Sequence, residues 1–98
     1  MAEAETAEQA NLVRVVLPRA LVDLFPGATA DTTLDGGTVD QVMRELDARW
    51  PGMRDRLVDS RPSIRRHINV FVDGRRVTLD TALSPGATVH ILTAISGG

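Results

Sequence analysis

The sequence predicts an α+β fold: a mixed sheet of roughly four to five strands with one main helix packed on one face. Three observations carry this. Apolar stretches with period-two alternation lie near both ends of the chain. One amphipathic helix lies between them. Turn dipeptides, Pro26-Gly27, Asp73-Gly74 and Pro85-Gly86, separate the segments.

The elements follow in chain order. Residues 1–10 are rich in Ala and Glu without apolar periodicity, and read as a frayed arm. Leu12 to Leu17 reads as a strand, with Val13, Val15 and Leu17 on one face and Arg14 on the other. Ala20 to Phe25 is a short apolar piece ended by Pro26-Gly27. Ala28 to Leu34 carries Thr29, Thr32 and Thr33, which favour strand. Asp35-Gly36-Gly37 then turns the chain.

Thr38 to Trp50 is the main helix. Thr38 and Gln41 match a capping box, in which each side chain satisfies the other's free backbone N–H. Val39, Val42, Met43, Leu46 and Trp50 make one apolar stripe. Asp40 and Arg44, then Glu45 and Arg49, are spaced for i,i+4 ion pairs on the wet side. Pro51-Gly52 stops the helix. Met53 to Val58 offers a further helical turn, with Met53 and Leu57 as its buried residues.

Asp59 to Arg66 is a polar connection. Ile68 to Val72 is a strand, and Asp73-Gly74 is a hairpin turn leading to Val77 and Leu79. After Ser84-Pro85-Gly86, Thr88 to Ile95 is the last strand, and Ser96-Gly97-Gly98 is a bare tail. The division is an arm over 1–10, a domain over 11–95 and a tail over 96–98. The order strand, strand, helix, strand, short strand, strand is that of the β-grasp, or ubiquitin-like, arrangement. One helix stripe over single-sided strands makes two layers sufficient.

Composition narrows the function classes. A chain of 98 residues is the size of one domain, and 43% apolar with 24% charged residues is ordinary for a globular protein. The formal net charge of -2 gives no electrostatic case for nucleic acid. No apolar run approaches the about 20 residues a membrane span needs. The acidic start Met1-Ala2-Glu3-Ala4-Glu5 lacks the order of a signal peptide. There is no cysteine, so the chain has no disulfide and no thiol nucleophile, which fits a cytoplasmic protein. All 11 basic residues are arginine, so no lysine amine is present for self-linkage.

Conventional sites are wanting. His67 and His90 are too far apart for a local metal motif, and both read as solvated side chains; no metal site is expected. No Gly-x-Ser-x-Gly elbow occurs, and Gly36-Gly37 is not followed by the Lys-Ser/Thr of a phosphate loop. The doublets Arg65-Arg66 and Arg75-Arg76 are scattered charge without a specific signal. Trp50 ends an apolar stripe and reads as core.

The C-terminus remains. Gly98 ends a thin arm that leaves a strand expected at the centre of the sheet. A free carboxylate is a poor electrophile; joining it to AMP makes a mixed anhydride that a nucleophile can attack. Glycine tolerates any φ/ψ and has no side chain, so Gly97-Gly98 could thread the narrow channel of an activating enzyme, with Ser96 before it. Ordering flexible residues costs about 1–2 kcal/mol each, so a docking surface must offset it. With Val89, Ile91, Thr93 and Ile95 toward the helix, Leu92 and Ala94 lie on the open face. With Val70 and Val72 inward, Phe71 joins them. A Phe71–Leu92–Ala94 patch would suit a partner protein.

Residues 68–98, from Ile68-Asn69-Val70-Phe71-Val72-Asp73-Gly74 to Ser96-Gly97-Gly98, resemble the MoaD/ThiS family of ubiquitin-like sulfur carriers. Gly86-Ala87-Thr88-Val89 stands where that family's usual turn is Gly-Asp-x-Val. The first strand and the Thr38 helix sit where the family places them. The long excursion from Met53 to Arg66 most resembles the actinobacterial cysteine-biosynthesis carriers. The resemblance implies a protein that is no enzyme itself and binds no cofactor. An E1-like enzyme would adenylate Gly98 with Mg-ATP, and a sulfur donor would convert it to a thiocarboxylate. A sulfur-accepting biosynthetic enzyme would take the sulfur toward cysteine, molybdopterin, thiamin or a natural product. Three alternatives are a ubiquitin-like modifier joined to lysines through Gly98, a small subunit of molybdopterin synthase, and a plain β-grasp binding module whose terminal glycines are incidental.

Overall fold

The computed structural model describes residues 11–94. The expected arm over 1–10, Ile95 and the tail residues Ser96, Gly97 and Gly98 lie outside the described residues. The elements are β1 (Leu12–Val16), α1 (Arg19–Val22), β2 (Asp31–Asp35), α2 (Val39–Arg49), α3 (Met53–Leu57), β3 (Ile68–Val72), β4 (Arg75–Arg76) and β5 (Thr88–Thr93). The five strands form one sheet in the order β2-β1-β5-β3-β4. β1 and β5 run parallel, and the other neighbours are antiparallel.

The expected alternation builds the sheet's inner face. Val13, Val15, Val70, Val89 and Ile91 are buried, and they meet the α2 stripe of Val39, Val42, Met43 and Leu46. Met53 and Leu57 of α3 and Leu21 of α1 also belong to this core. Trp50 is half-buried against the core and forms the helix cap rather than its last turn. Val72 is half-buried, and Thr93 is exposed although it shares the parity of Val89 and Ile91.

The start of α2 is held by its own residues and by a distant segment. Thr38 Oγ1 accepts the Gln41 N–H at 3.1 Å. Gln41 Oε1 accepts from the Gly37 N–H at 2.6 Å, one residue before the partner a capping box would use. The N–H groups of Val39 and Asp40 donate to the carbonyls of Thr81 and Leu79. The first turn of a helix has no internal acceptors, so these bonds tie the helix start to the segment after β4.

Three local expectations shift. β2 begins at Asp31, because Pro26-Gly27 makes a turn in which the Ala28 N–H donates to the Phe25 carbonyl. The Ala20 to Phe25 piece contains the single helical turn α1. Asp40 pairs with Arg44 at 2.8 Å, but Arg49 bypasses Glu45. Its guanidinium donates to Thr32 Oγ1 at 3.0 Å and to the Thr33 carbonyl at 3.2 Å. β2 is an edge strand, and its outward groups offer fixed acceptors; a flexible surface carboxylate competes poorly with them.

The hairpin turn is as expected. Asp73 and Gly74 both have positive φ, at 50° and 88°, as a type I′ turn requires. The Val77 N–H donates to the Val70 carbonyl at 3.0 Å, so pairing continues past the two residues of β4.

Leu46 is fully buried at the sheet–helix junction. Leu46→Ala is expected to lower unfolding free energy by roughly 2–5 kcal/mol. Urea denaturation followed by circular dichroism measures this; a loss below about 0.5 kcal/mol would contradict the packing described, since that is the range of surface changes.

Candidate functional site

β5 places the site. It lies third of the five strands, with β1 on one side and β3 on the other. Val89 is fixed from both flanks, by Val15 and Val72, and Ile91 is opposite Val70 of β3. The Ala94 N–H donates to the His67 carbonyl at 2.7 Å, so the ladder's geometry persists one residue past β5. The chain end expected to carry chemistry therefore departs from the middle of a rigid sheet. Gly98, Gly97 and Ser96 themselves lie outside the described residues.

The open face of the sheet adjoins this departure. Leu92 is 45% exposed, Ala94 is exposed and Phe71 is half-buried. Phe71 and Leu92 share the face but are not directly opposed: Phe71 pairs with His90, and Leu92 with Asn69. They are diagonal neighbours, a relation that long or aromatic side chains can bridge. The patch is thus apolar with polar groups let into it.

A lateral row also crosses this face, formed by Asp31, Val16, His90, Phe71 and Arg76 in register. Val16, half-buried, belongs to the face with Phe71, and the alternation of β1 from Leu12 through Arg14 carried that signal. Only the register, however, sets Val16 beside His90. At the β2 side Arg14 makes a bidentate ion pair with Asp31, its Nε reaching the two carboxylate oxygens at 2.9 and 3.0 Å. At the other side Arg76 donates to Asn69 Oδ1. Among the described residues no cluster of three or more His, Cys, Asp or Glu side chains could hold a metal ion. His67 and His90 are both exposed. No helix among them is long and apolar enough to cross a membrane.

Among the described residues, three carboxyls are held below their usual range by arginine. Hydrogen bonding from Arg14 lowers Asp31, and hydrogen bonding from Arg44 and then Arg54 lowers Asp40. Asp59 is pushed down to about 2, chiefly by its hydrogen bond from Arg61. Asp59 also anchors the loop before β3, accepting the Arg61 N–H at 3.0 Å.

A five-stranded mixed sheet with one main helix, whose chain end leaves the middle strand, defines a ubiquitin-like β-grasp protein. Known proteins agree. The model of the ThiS family matches residues 15–98, and the chain belongs to that family. The sulfur carrier protein CysO of Mycobacterium tuberculosis is 32% identical over 78 residues, covering 74% of this chain and 84% of that protein. Small archaeal modifier protein 3 of Haloferax volcanii is 34% identical over 68 residues, 65% of this chain and 73% of that protein. Among solved structures, a chain of the Amycolatopsis orientalis BexX/CysO complex superposes with a TM-score of 0.79 at 29% identity, covering 88% of this chain and 99% of that one.

The lowered carboxyls predict acid sensitivity of a defined sign. Their folded values lie below the unfolded ones, so the unfolded chain binds more protons between the two. The stability they supply is complete above the ordinary value of 3.8 and, for Asp59, is lost as pH falls toward about 2. Urea midpoints should drop between pH 4 and pH 2, and Asp59→Asn should show a shallower drop over that window. An identical slope for the variant would contradict the Asp59–Arg61 assignment.

Proposed function

We propose that this protein is a sulfur carrier whose reacting group is the backbone carboxylate of Gly98. The observation that carries the proposal is the family match, which runs from β1 through to Gly98 and so includes the Gly97-Gly98 pair. The named relative CysO is itself a sulfur carrier protein.

In the proposed cycle an E1-like enzyme binds the tail beside Mg-ATP. A carboxylate oxygen of Gly98 attacks the α-phosphorus and pyrophosphate leaves. Hydrosulfide, or a donor equivalent to it, attacks the acyl carbon of the adenylate. AMP departs with one former carboxylate oxygen, leaving a thiocarboxylate. The sulfur then displaces the leaving group of an activated substrate held by a sulfur-accepting enzyme, forming a thioester, and hydrolysis of its acyl–sulfur bond releases the thiol and restores the carboxylate. ATP and magnesium belong to the activating enzyme in this cycle.

The chain's own residues bind and position. Ile95 to Gly98 are four residues and span at most about 14 Å when extended. An activating enzyme must therefore sit against the end of the sheet near Ala94. Leu92, Ala94 and Phe71 are the apolar groups offered there, and burying Leu92 would supply part of the docking energy that offsets ordering of the tail. The final acceptor lies on a route to cysteine, molybdopterin, thiamin or a natural product.

A second reading has its own support in the likeness to small archaeal modifier protein 3. There Gly98 would be activated in the same way and joined to lysine amines of other proteins. The acceptor distinguishes the two: a thiocarboxylate for the carrier, an isopeptide ladder for the modifier.

The variants Gly98→Ala and a chain lengthened by one residue after Gly98 should both fold normally and fail to gain sulfur in a loading assay read by intact mass. Normal loading of either variant contradicts the mechanism. Leu92→Asp should keep the fold and raise the carrier concentration needed for half-maximal adenylation about tenfold or more, as expected when a buried apolar anchor becomes a charge. Kinetics equal to the parent would remove Leu92 from the docking surface.

A further inference from the structure

Two arginines stand on the open face of the sheet, and they are held differently. Arg14 forms a bidentate pair with Asp31, so each charge answers the other. Arg76 is exposed on β4, and among the described residues it joins none of the ion pairs. It donates from one terminal nitrogen to the neutral Asn69 Oδ1. A guanidinium has five N–H donors and keeps its charge beside a neutral acceptor.

The carboxylates around Arg76 are turned elsewhere. Asp73, at the hairpin turn, accepts the Thr88 N–H. Asp80 accepts from the Thr78 hydroxyl and lines a cleft on the other side of the sheet, which Arg76 borders at the edge. Asp31 lies in the same row as Arg76, but four strand spacings away, about 19 Å. That is more than twice the screening length of about 8 Å in physiological salt. Asp35 is on the same edge strand as Asp31 and accepts the Asn11 N–H.

The bond to Asn69 decides where the guanidinium ends. Arg76 is opposite Phe71, and Asn69 is opposite Leu92. Asn69 and Phe71 alternate onto one face of β3. The Arg76 side chain therefore runs past Phe71 toward Leu92 instead of out from the edge of the sheet. Opposed residues stand about 4.5–5.5 Å apart at Cβ, so the charge lies beside the apolar patch. A partner that covers Leu92 strips water from Arg76 as well. A stripped cation without an acceptor opposes binding. A carboxylate set opposite it makes a charge-assisted, bidentate contact.

We propose that Arg76, aimed by Asn69, is the charged anchor of the docking face and takes a carboxylate of the activating enzyme, set among the apolar side chains that cover Leu92 and Phe71. This rests on the carrier reading and adds the chemistry that the partner's surface must carry. Apolar contacts at Leu92 and Phe71 have little direction. One open cation on the β4 side, against a closed ion pair on the β2 side, gives the partner a single way round. Asn69 is a positioning residue, acting through Arg76.

The test is the initial rate of sulfur loading, read by intact mass, as the full chain is varied with Mg-ATP, sulfide and an E1-like enzyme from the same organism. Arg76→Gln, at an exposed position, should keep the folded amide spectrum. It should raise the carrier concentration for half-maximal rate about tenfold and leave the limiting rate within about twofold. Arg75→Gln removes the same charge from the next residue, which alternation turns to the other face, and should change that concentration by less than about twofold. Asn69→Leu should raise it by a smaller factor than Arg76→Gln, again without changing the limiting rate. Added salt should weaken the parent more than Arg76→Gln. Equal half-maximal concentrations for Arg76→Gln and the parent, an equal effect of Arg75→Gln, or equal salt dependence would overturn the anchor and leave the carrier mechanism standing. A parent that never gains sulfur would overturn the carrier reading, and the anchor with it.

Discussion

The pairing of β5 with β1 on one flank and β3 on the other joins the two ends of the chain into one sheet. The parallel β1–β5 contact is the demanding one. A parallel neighbour cannot be reached by a tight turn, so the chain between them must travel over the sheet. α2 lies in that travelling chain, and its stripe covers the inner face that the crossing exposes. Val89 and Ile91, fully buried on β5, are where sheet, helix and connection meet. Loosening them would free the helix from its floor and the tail from its base together.

In the proposed cycle, rigidity at β5 is what gives the tail its use. A reacting carboxylate on an arm of a few residues is useful only if the body behind it presents the same surface each time. β5 is paired on both sides over Thr88 to His90, and β3 with the His67 carbonyl carries it on to Ala94. The two surfaces beside the departure differ in kind. The open face offers Leu92 and Phe71, with His90 and Asn69 opposite them. A cleft on the other side of the sheet, between residues 62–66 and 76–80, offers a recessed apolar floor.

Much of this fold was legible because its signals are local. The stripe from Val39 to Leu46 and the alternation of Val13 with Val15 and of Val89 with Ile91 each need only a few neighbouring residues to be read. Asp73-Gly74 and Pro85-Gly86 dictate their turns by backbone conformation alone. What escaped depended on partners distant in sequence. Arg49 was spaced for Glu45 but found Thr32 and Thr33 across the fold. Gln41 reached Gly37 instead of closing the box at Thr38. The exposure of Thr93 could not be read from parity, which says which face a residue is on and not how far the helix extends over it.

The site divides along the same line. Leu92, Ala94 and Phe71 could be assigned to the open face from alternation, whereas their interleaving with His90 and Asn69 is a matter of register. The two arginine doublets were visible as scattered charge. That Ile64, Val77 and Leu79 line one cleft follows only from bringing residues 62–66 against residues 76–80. The measurement that bears most directly on the carrier mechanism is the intact mass of the wild-type protein after incubation with Mg-ATP, sulfide and an E1-like enzyme from the same organism. A gain equal to exchange of one oxygen for sulfur, localised by fragmentation to Gly98, is the predicted result. An unchanged mass for the folded protein, with enzyme shown to be active by its own pyrophosphate exchange, would contradict it.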